Sequence, residues 1–106
     1  MTDLPSPFDL EMLKIYQRAK LEAKYTATAF FGMLSKRGGL ATAKYLINSE
    51  KISDGYTALH ERGRLDLTVE AVVVENTKWH SLFSEVELDI CRNRLKKYEY
   101  TPKTQA

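Results

Sequence analysis

The side chains with the widest chemical reach in this sequence are two histidines, His60 and His80, one cysteine, Cys91, and a scatter of carboxylates. His60-Glu61 begins like a zinc-protease helix, but that chemistry needs a second imidazole four positions on, so that both share one helix face. Arg64 stands there instead. His80 adjoins Trp79, and no group of Cys, His and acidic residues has metal-ligand spacing. Glu70 is the carboxylate of most interest, because it interrupts an apolar run in which burial would raise its pKa. On a helix, Asp66 and Glu70 would share a face and could hold a metal ion. The competing expectation is that one or both pair with a nearby Arg62 or Arg64. Cys91 sits on an apolar helix face and reads as a core residue rather than a nucleophile. No catalytic residue, metal or cofactor is therefore expected, and the chain reads as a non-enzyme.

Binding chemistry has more to work with. Residues 40–65 can be laid out as helix, turn, helix, with the second helix presenting Ser53, Tyr56, Thr57, His60, Glu61 and Arg64 as a DNA reader would. Lys44, Lys51, Arg62 and Arg64 would then meet phosphates. Against this, the turn at 48–52 is longer than the usual three or four residues, and Asp54 and Glu61 would repel phosphate. A second basic group, Arg92, Arg94, Lys96 and Lys97, lies near Tyr98 and Tyr100, a mixture suited to phosphate contact with base stacking. Cations also gather near helix C-termini simply because the dipole favours them there. The formal charge of +2 leaves any nucleic-acid role to such local patches.

These groups must be carried by helices. At the start, Ser6 can cap a helix, Pro7 suits its first turn, and Asp9 and Glu11 face the positive end of its dipole. Met12, Tyr16, Ala19, Ala23, Ala27, Phe30 and Leu34 then recur at steps of three and four, a continuous stripe at helical period. Lys36 and Arg37 suit its C-terminal end, and Gly38-Gly39 stops it. At about 1.5 Å per residue such a helix would be roughly 45 Å long. That exceeds the width of a domain this small, so part of it should project or pack on a second chain. Ala19, Ala23, Ala27 and Ala29 would let another helix approach closely, from this chain or another. Phe30 and Phe31 point about 100° apart on a helix, and one core rarely covers both.

Further along, 40–47 reads as a short helix, and Ser53 caps another through Asp54, Tyr56, Leu59 and His60 that Gly63 ends. Residues 65–74 alternate like a strand, yet no second strand is available to pair with it. A buried helix capped by Asp66 is the preferred reading; pairing with another chain is the alternative. Trp79, Leu82 and Phe83 form a helical turn that plugs the core. Ser84 and Glu87 have capping-box spacing, Phe83 and Leu88 can staple, and Leu88, Cys91, Leu95 and Tyr98 make the buried stripe of a last helix.

Several of these strings travel together: Arg37-Gly38-Gly39, Ala43-Lys44, Ser53-Asp54-Gly55-Tyr56-Thr57, and Gly63-Arg64-Leu65-Asp66-Leu67-Thr68-Val69-Glu70-Ala71. With Trp79, Phe83, Glu87, Arg92, Arg94, Leu95 and Tyr98, they resemble a family of short, uncharacterised bacterial or phage-type helical proteins, over about residues 13–100. The resemblance implies a helical domain and brings no activity or functional residue with it.

The composition fits that fold class. Of 106 residues, 43% are hydrophobic and 28% charged, a globular balance with enough apolar mass for one modest core. One cysteine cannot make an internal disulfide, no apolar run nears the roughly 20 residues that span a bilayer, and the first residues lack a signal-peptide pattern. The expected compartment is the cytoplasm. The expected fold is all-α: one compact bundle of five or six helices with a long N-terminal helix, over residues 6–100, between a loose start at 1–5 and a loose tail at 101–106. The expected function is a non-enzymatic interaction module that binds a protein partner, foremost a second copy of itself, through Ala23, Ala27, Phe30, Phe31 and Leu34. The alternative is a small DNA-binding regulator using Lys44, Arg62, Arg64 and the patch from Arg92 to Lys97.

Overall fold

The first helix, α1 (Pro7–Glu22), opens with a reciprocal cap in a computed structural model that describes residues 6–103. Asp9 N–H donates to Ser6 Oγ at 3.1 Å and Ser6 N–H donates to Asp9 Oδ2 at 3.0 Å, so two otherwise orphaned amides are satisfied. The other oxygen, Asp9 Oδ1, accepts the Gly39 N–H at 2.7 Å and ties the start of a later helix to this one. Hydrogen bonds from the Ser6 and Gly39 amides hold the Asp9 carboxyl below its ordinary pKa. The approach leaves no room for a side chain. A Cβ on Gly39 would stand 2.7 Å from Asp9 Oδ1 and 3.0 Å from Asp9 Cα, so glycine is required here for space.

The single long helix expected up to Arg37 is two helices. After Glu22 the chain turns, with Lys24 in the left-handed region at φ 57° and Tyr25 N–H reaching back to Ala19 O at 3.0 Å. A second helix, α2, covers Thr28–Arg37. The break is stabilised from a distance: Arg62 Nε donates to the Ala23 carbonyl, one of the acceptors left unpaired when a helix ends. Thr26 and Thr28, β-branched and weak helix formers, weaken the alternative of running straight on. No 45 Å rod projects, and the radius of gyration is 13.0 Å, as expected of about 100 residues packed together.

The remaining helices are α3 (Gly39–Asn48), α4 (Asp54–Glu61), α5 (Val69–Glu75) and α6 (Glu85–Lys97). Two 3₁₀ turns, Leu65–Leu67 and Thr77–Leu82, lead into α5 and α6. The fold is all-α, and the alternating stretch at 65–74 is helical rather than extended. Its cap is Thr68 and not Asp66, which lies in the preceding 3₁₀ turn. Thr68 Oγ1 accepts the Ala71 N–H at 3.1 Å while its own hydroxyl donates to Leu65 O at 2.7 Å, so this buried threonine is satisfied on both counts. Ser53 caps α4 and Ser84 caps α6, the latter as a full capping box with Glu87.

The principal core joins Phe8, Met12 and Ile15 of α1 to Ala43 and Ile47 of α3, Val69 and Val73 of α5, and Leu88 and Cys91 of α6. Trp79 and Phe83 plug it, meeting the Phe8 ring edge-on with centroids 5.2 and 5.7 Å away. Among the described residues, no helix is long and apolar enough to cross a membrane. The expected loose start, 1–5, lies outside the described residues. Of the expected loose tail, 101–103 are described: the Lys103 N–H donates to Glu75 Oε2 at 2.9 Å, an oxygen that also accepts from the Tyr100 hydroxyl.

Candidate binding cleft

Turning α2 away from the line of α1 opens a cleft of about 230 Å³. Ile15 and Ala19 of α1, Phe30 and Met33 of α2, Leu59 of α4 and Val69 of α5 form its apolar walls. Its polar groups come from the start of α4, where Ser53 and Asp54 stand, from Tyr25 in the turn, and from Glu70. The Tyr25 hydroxyl reaches the same corner, 3.9 Å from where a Cβ on Gly55 would lie.

Glu70 is only 4% exposed. Its Oε2 accepts from Arg94 Nη1 at 2.9 Å, and Arg94 also donates to Leu46 O at 3.1 Å and to Ser49 O at 2.5 Å. One guanidinium therefore pairs a buried acid and closes the C-terminal end of α3. Burial raises the Glu70 pKa, opposed by its own backbone amide and by Arg94. The adjacent Arg94 guanidinium, always charged, favours the ionised form against that burial. Tyr56 donates from its hydroxyl to the Arg94 carbonyl at 3.0 Å, joining α4 to α6, and burial raises the pKa of that hydroxyl. Burial, with Glu70 nearby, pushes the Cys91 thiol up to about 12, so at neutral pH it is no nucleophile.

The five residues expected at a partner interface are not gathered on one outward face. Ala23 and Ala27 are buried within the chain at the turn, and Ala27 lines the cleft. Phe30 and Leu34 are half-buried against the core. Phe31 is 43% exposed, and its ring lies 4.8 Å from that of Tyr16.

Most of the cations expected to meet phosphate already have partners. Lys44 Nζ lies 2.7 Å from Glu87 Oε1 and over the Phe83 ring. Arg62 is engaged with the Ala23 and Ala58 carbonyls and stands over Tyr25. Arg64 bridges Asp66 at 3.0 Å and Glu22 at 2.7 Å. Arg92 pairs with Asp89 at 2.9 Å, and Arg94 is held inside. Lys96 and Lys97 are exposed and make no ion pair among the described residues. The stretch 40–65 is two helices, but α4 packs on the 3₁₀ turn at Leu65–Leu67 rather than squarely on α3, unlike a helix-turn-helix pair.

Asp66 and Glu70 do not form the shared face that a single helix would give. Asp66 sits before the Thr68 cap and belongs to Arg64; Glu70 belongs to Arg94. The arginine expected for Glu70 was a neighbour in sequence, and the actual one lies 24 positions away. Among the described residues, no group of three or more His, Cys, Asp or Glu side chains is placed to hold a metal ion. Sequence reasoning missed the cleft, with Tyr25, Met33 and Ser53 in its walls; its one signal was an acidic residue inside an apolar run. Compared with protein-family models, curated proteins and solved structures, the chain matches none of them.

Proposed function

We propose that this protein is a non-enzymatic helical binding module that associates with a second copy of itself through α2 and the adjoining face of α1. One observation carries the reading. α2 brings four large apolar residues, Phe30, Phe31, Met33 and Leu34, yet none of its ten residues is fully buried. An apolar helix left half-covered by its own chain is a surface suited to a partner. Phe31 and Tyr16 supply a pair of aromatic rings, tilted 35° to each other, at its outer edge, the side-chain type that interfaces favour. Ala23 and Ala27 act in this reading by shaping the turn that presents α2, not as contacts, while Phe30 and Leu34 contribute the edges they still expose. DNA binding has less support, because five of its expected cations, Lys44, Arg62, Arg64, Arg92 and Arg94, already face acidic or carbonyl partners, which leaves Lys51, Lys96 and Lys97 clear of them among the described residues.

Sedimentation equilibrium tests the proposal. At ~100 μM protein, a concentration that populates any dimer with a dissociation constant below it, the wild-type chain gives a dimer mass. Phe31→Glu gives a monomer with an unchanged circular dichroism spectrum. A wild-type monomer at that concentration overturns the reading.

A further inference from the structure

The cleft beneath α2 has features that self-association leaves unused. Three aromatic residues, Tyr25, Phe30 and Tyr56, line the same space as two carboxylates, Asp54 and Glu70. Among the described residues no lysine, arginine or histidine lines it; Arg94 pairs with Glu70 and Arg62 stands over the Tyr25 ring from outside the lining, which leaves Asp54 as the lining carboxylate with no ion pair. Aromatic faces and carboxylates both favour an organic cation over a neutral or anionic compound of the same shape. Size narrows the class further. An apolar cavity of about 150 Å³ takes a benzene molecule, so about 230 Å³ takes one ring with a short chain.

We propose that this cleft is a binding site for a small amphipathic amine, with its apolar body between Phe30 and Leu59 and its ammonium at the mouth beside Asp54. The orientation follows from solvation. Moving an ammonium wholly into an apolar interior is costly, whereas at the mouth it keeps part of its water and gains the Asp54 carboxylate. Asp54 is exposed, and Ser53 rather than Asp54 supplies the cap of α4, so Asp54 is available for this contact. Glu70 is already balanced by Arg94, so the Asp54 carboxylate is the charged partner for the ammonium. Arg94 occupies Glu70 Oε2, and among the described residues no side chain donates to the other Glu70 oxygen.

Two-dimensional ¹H–¹⁵N NMR of the full chain at neutral pH tests the site with three probes of nearly equal shape: 2-phenylethylamine, 2-phenylethanol and 3-phenylpropionate. The amine shifts the amides of Tyr25, Gly55, Leu59 and Val69 and binds at least ~10-fold more tightly than the carboxylate. Asp54→Asn weakens the amine about threefold to fivefold, the scale of a half-solvated ion pair, and leaves the alcohol unchanged. No perturbation of these amides by any probe overturns the site. Equal affinity for all three overturns the ligand class, and an Asp54→Asn variant that binds the amine as the wild type does overturns the orientation. Repeating the titration with Phe31→Glu keeps the result separate from self-association, since Phe31 does not line the cleft.

Discussion

Arg62 Nε donates to the backbone carbonyl of Ala23 at 3.0 Å across 39 positions of sequence, and the same guanidinium stands 5.1 Å from the centroid of the Tyr25 ring. The contact joins the end of α4 to the end of α1. It satisfies a carbonyl that the α1 terminus would otherwise leave open, and Arg62 Nη1 adds a second donor at 2.9 Å to the Ala58 carbonyl, which already accepts the Arg62 backbone N–H. Arg62→Ala should therefore loosen the turn at 23–27. The expected loss is about 1–2 kcal/mol in urea denaturation, with faster amide exchange at Tyr25 and Thr28. A loss within error of zero, with exchange unchanged, would show that the turn holds without this arginine.

Arg94 answers two needs at once, a buried acid and two carbonyls at the end of α3. Arg94→Met should cost about 3–5 kcal/mol, because it strands the Glu70 charge inside the protein. Adding Glu70→Leu removes that charge and should recover part of the loss. The remainder, about 1–3 kcal/mol, reflects the uncovered Leu46 and Ser49 carbonyls. Full recovery in the double variant would mean that those carbonyls find water at no cost. Thermal and chemical denaturation of the four chains in one double-mutant cycle decides between these outcomes.

Acid should weaken the fold through Glu87. Burial by itself would raise its pKa, but donors from Lys44, Ser84 and Asn48 outweigh burial and bring the carboxyl down to about 2 from an ordinary 4.5. A depressed pKa means that the folded state binds the proton less readily than the unfolded chain. The stabilisation is thus complete above about pH 4.5 and is lost as pH falls toward about 2. Lys44 is half-exposed, so after allowance for solvent the contribution is about 2 kcal/mol. Urea midpoints measured at pH 7 and pH 3 should fall less steeply for Glu87→Gln than for the wild type. Parallel slopes would remove Glu87 as the cause.

Thr42 offers a test in the opposite direction. Its side chain is fully buried in α3, and its hydroxyl has no hydrogen-bond partner among the described residues. Thr42→Val keeps the shape and removes the unpaired polar atom, so it should stabilise by about 1 kcal/mol despite valine's similar helix propensity. A destabilised Thr42→Val variant would reveal that the hydroxyl is satisfied after all.

Local chemistry made much of this fold legible. Ser6, Ser53 and Ser84 announced three helix starts because a cap depends only on residues three apart, and Leu88, Cys91 and Leu95 announced a buried face because helical period is a local property. The candidate site was far less legible. Its one visible element was Glu70, and even there the partner, Arg94, could not be read from neighbouring positions.

By itself, then, the sequence determined an all-α chain, most of its helix starts and the apolar faces that meet in its core, since propensity, capping and periodicity act within a few residues. Only the tertiary structure decided that the first stripe bends at Lys24, that Asp66 and Glu70 go to different arginines, and that a cleft opens under α2. Each of these rests on contacts between residues far apart in the chain. An alanine-rich stretch such as 19–29 favours a helix on local grounds. It breaks there because Arg62 closes the exposed carbonyl and the bent chain can pack against both α1 and α3.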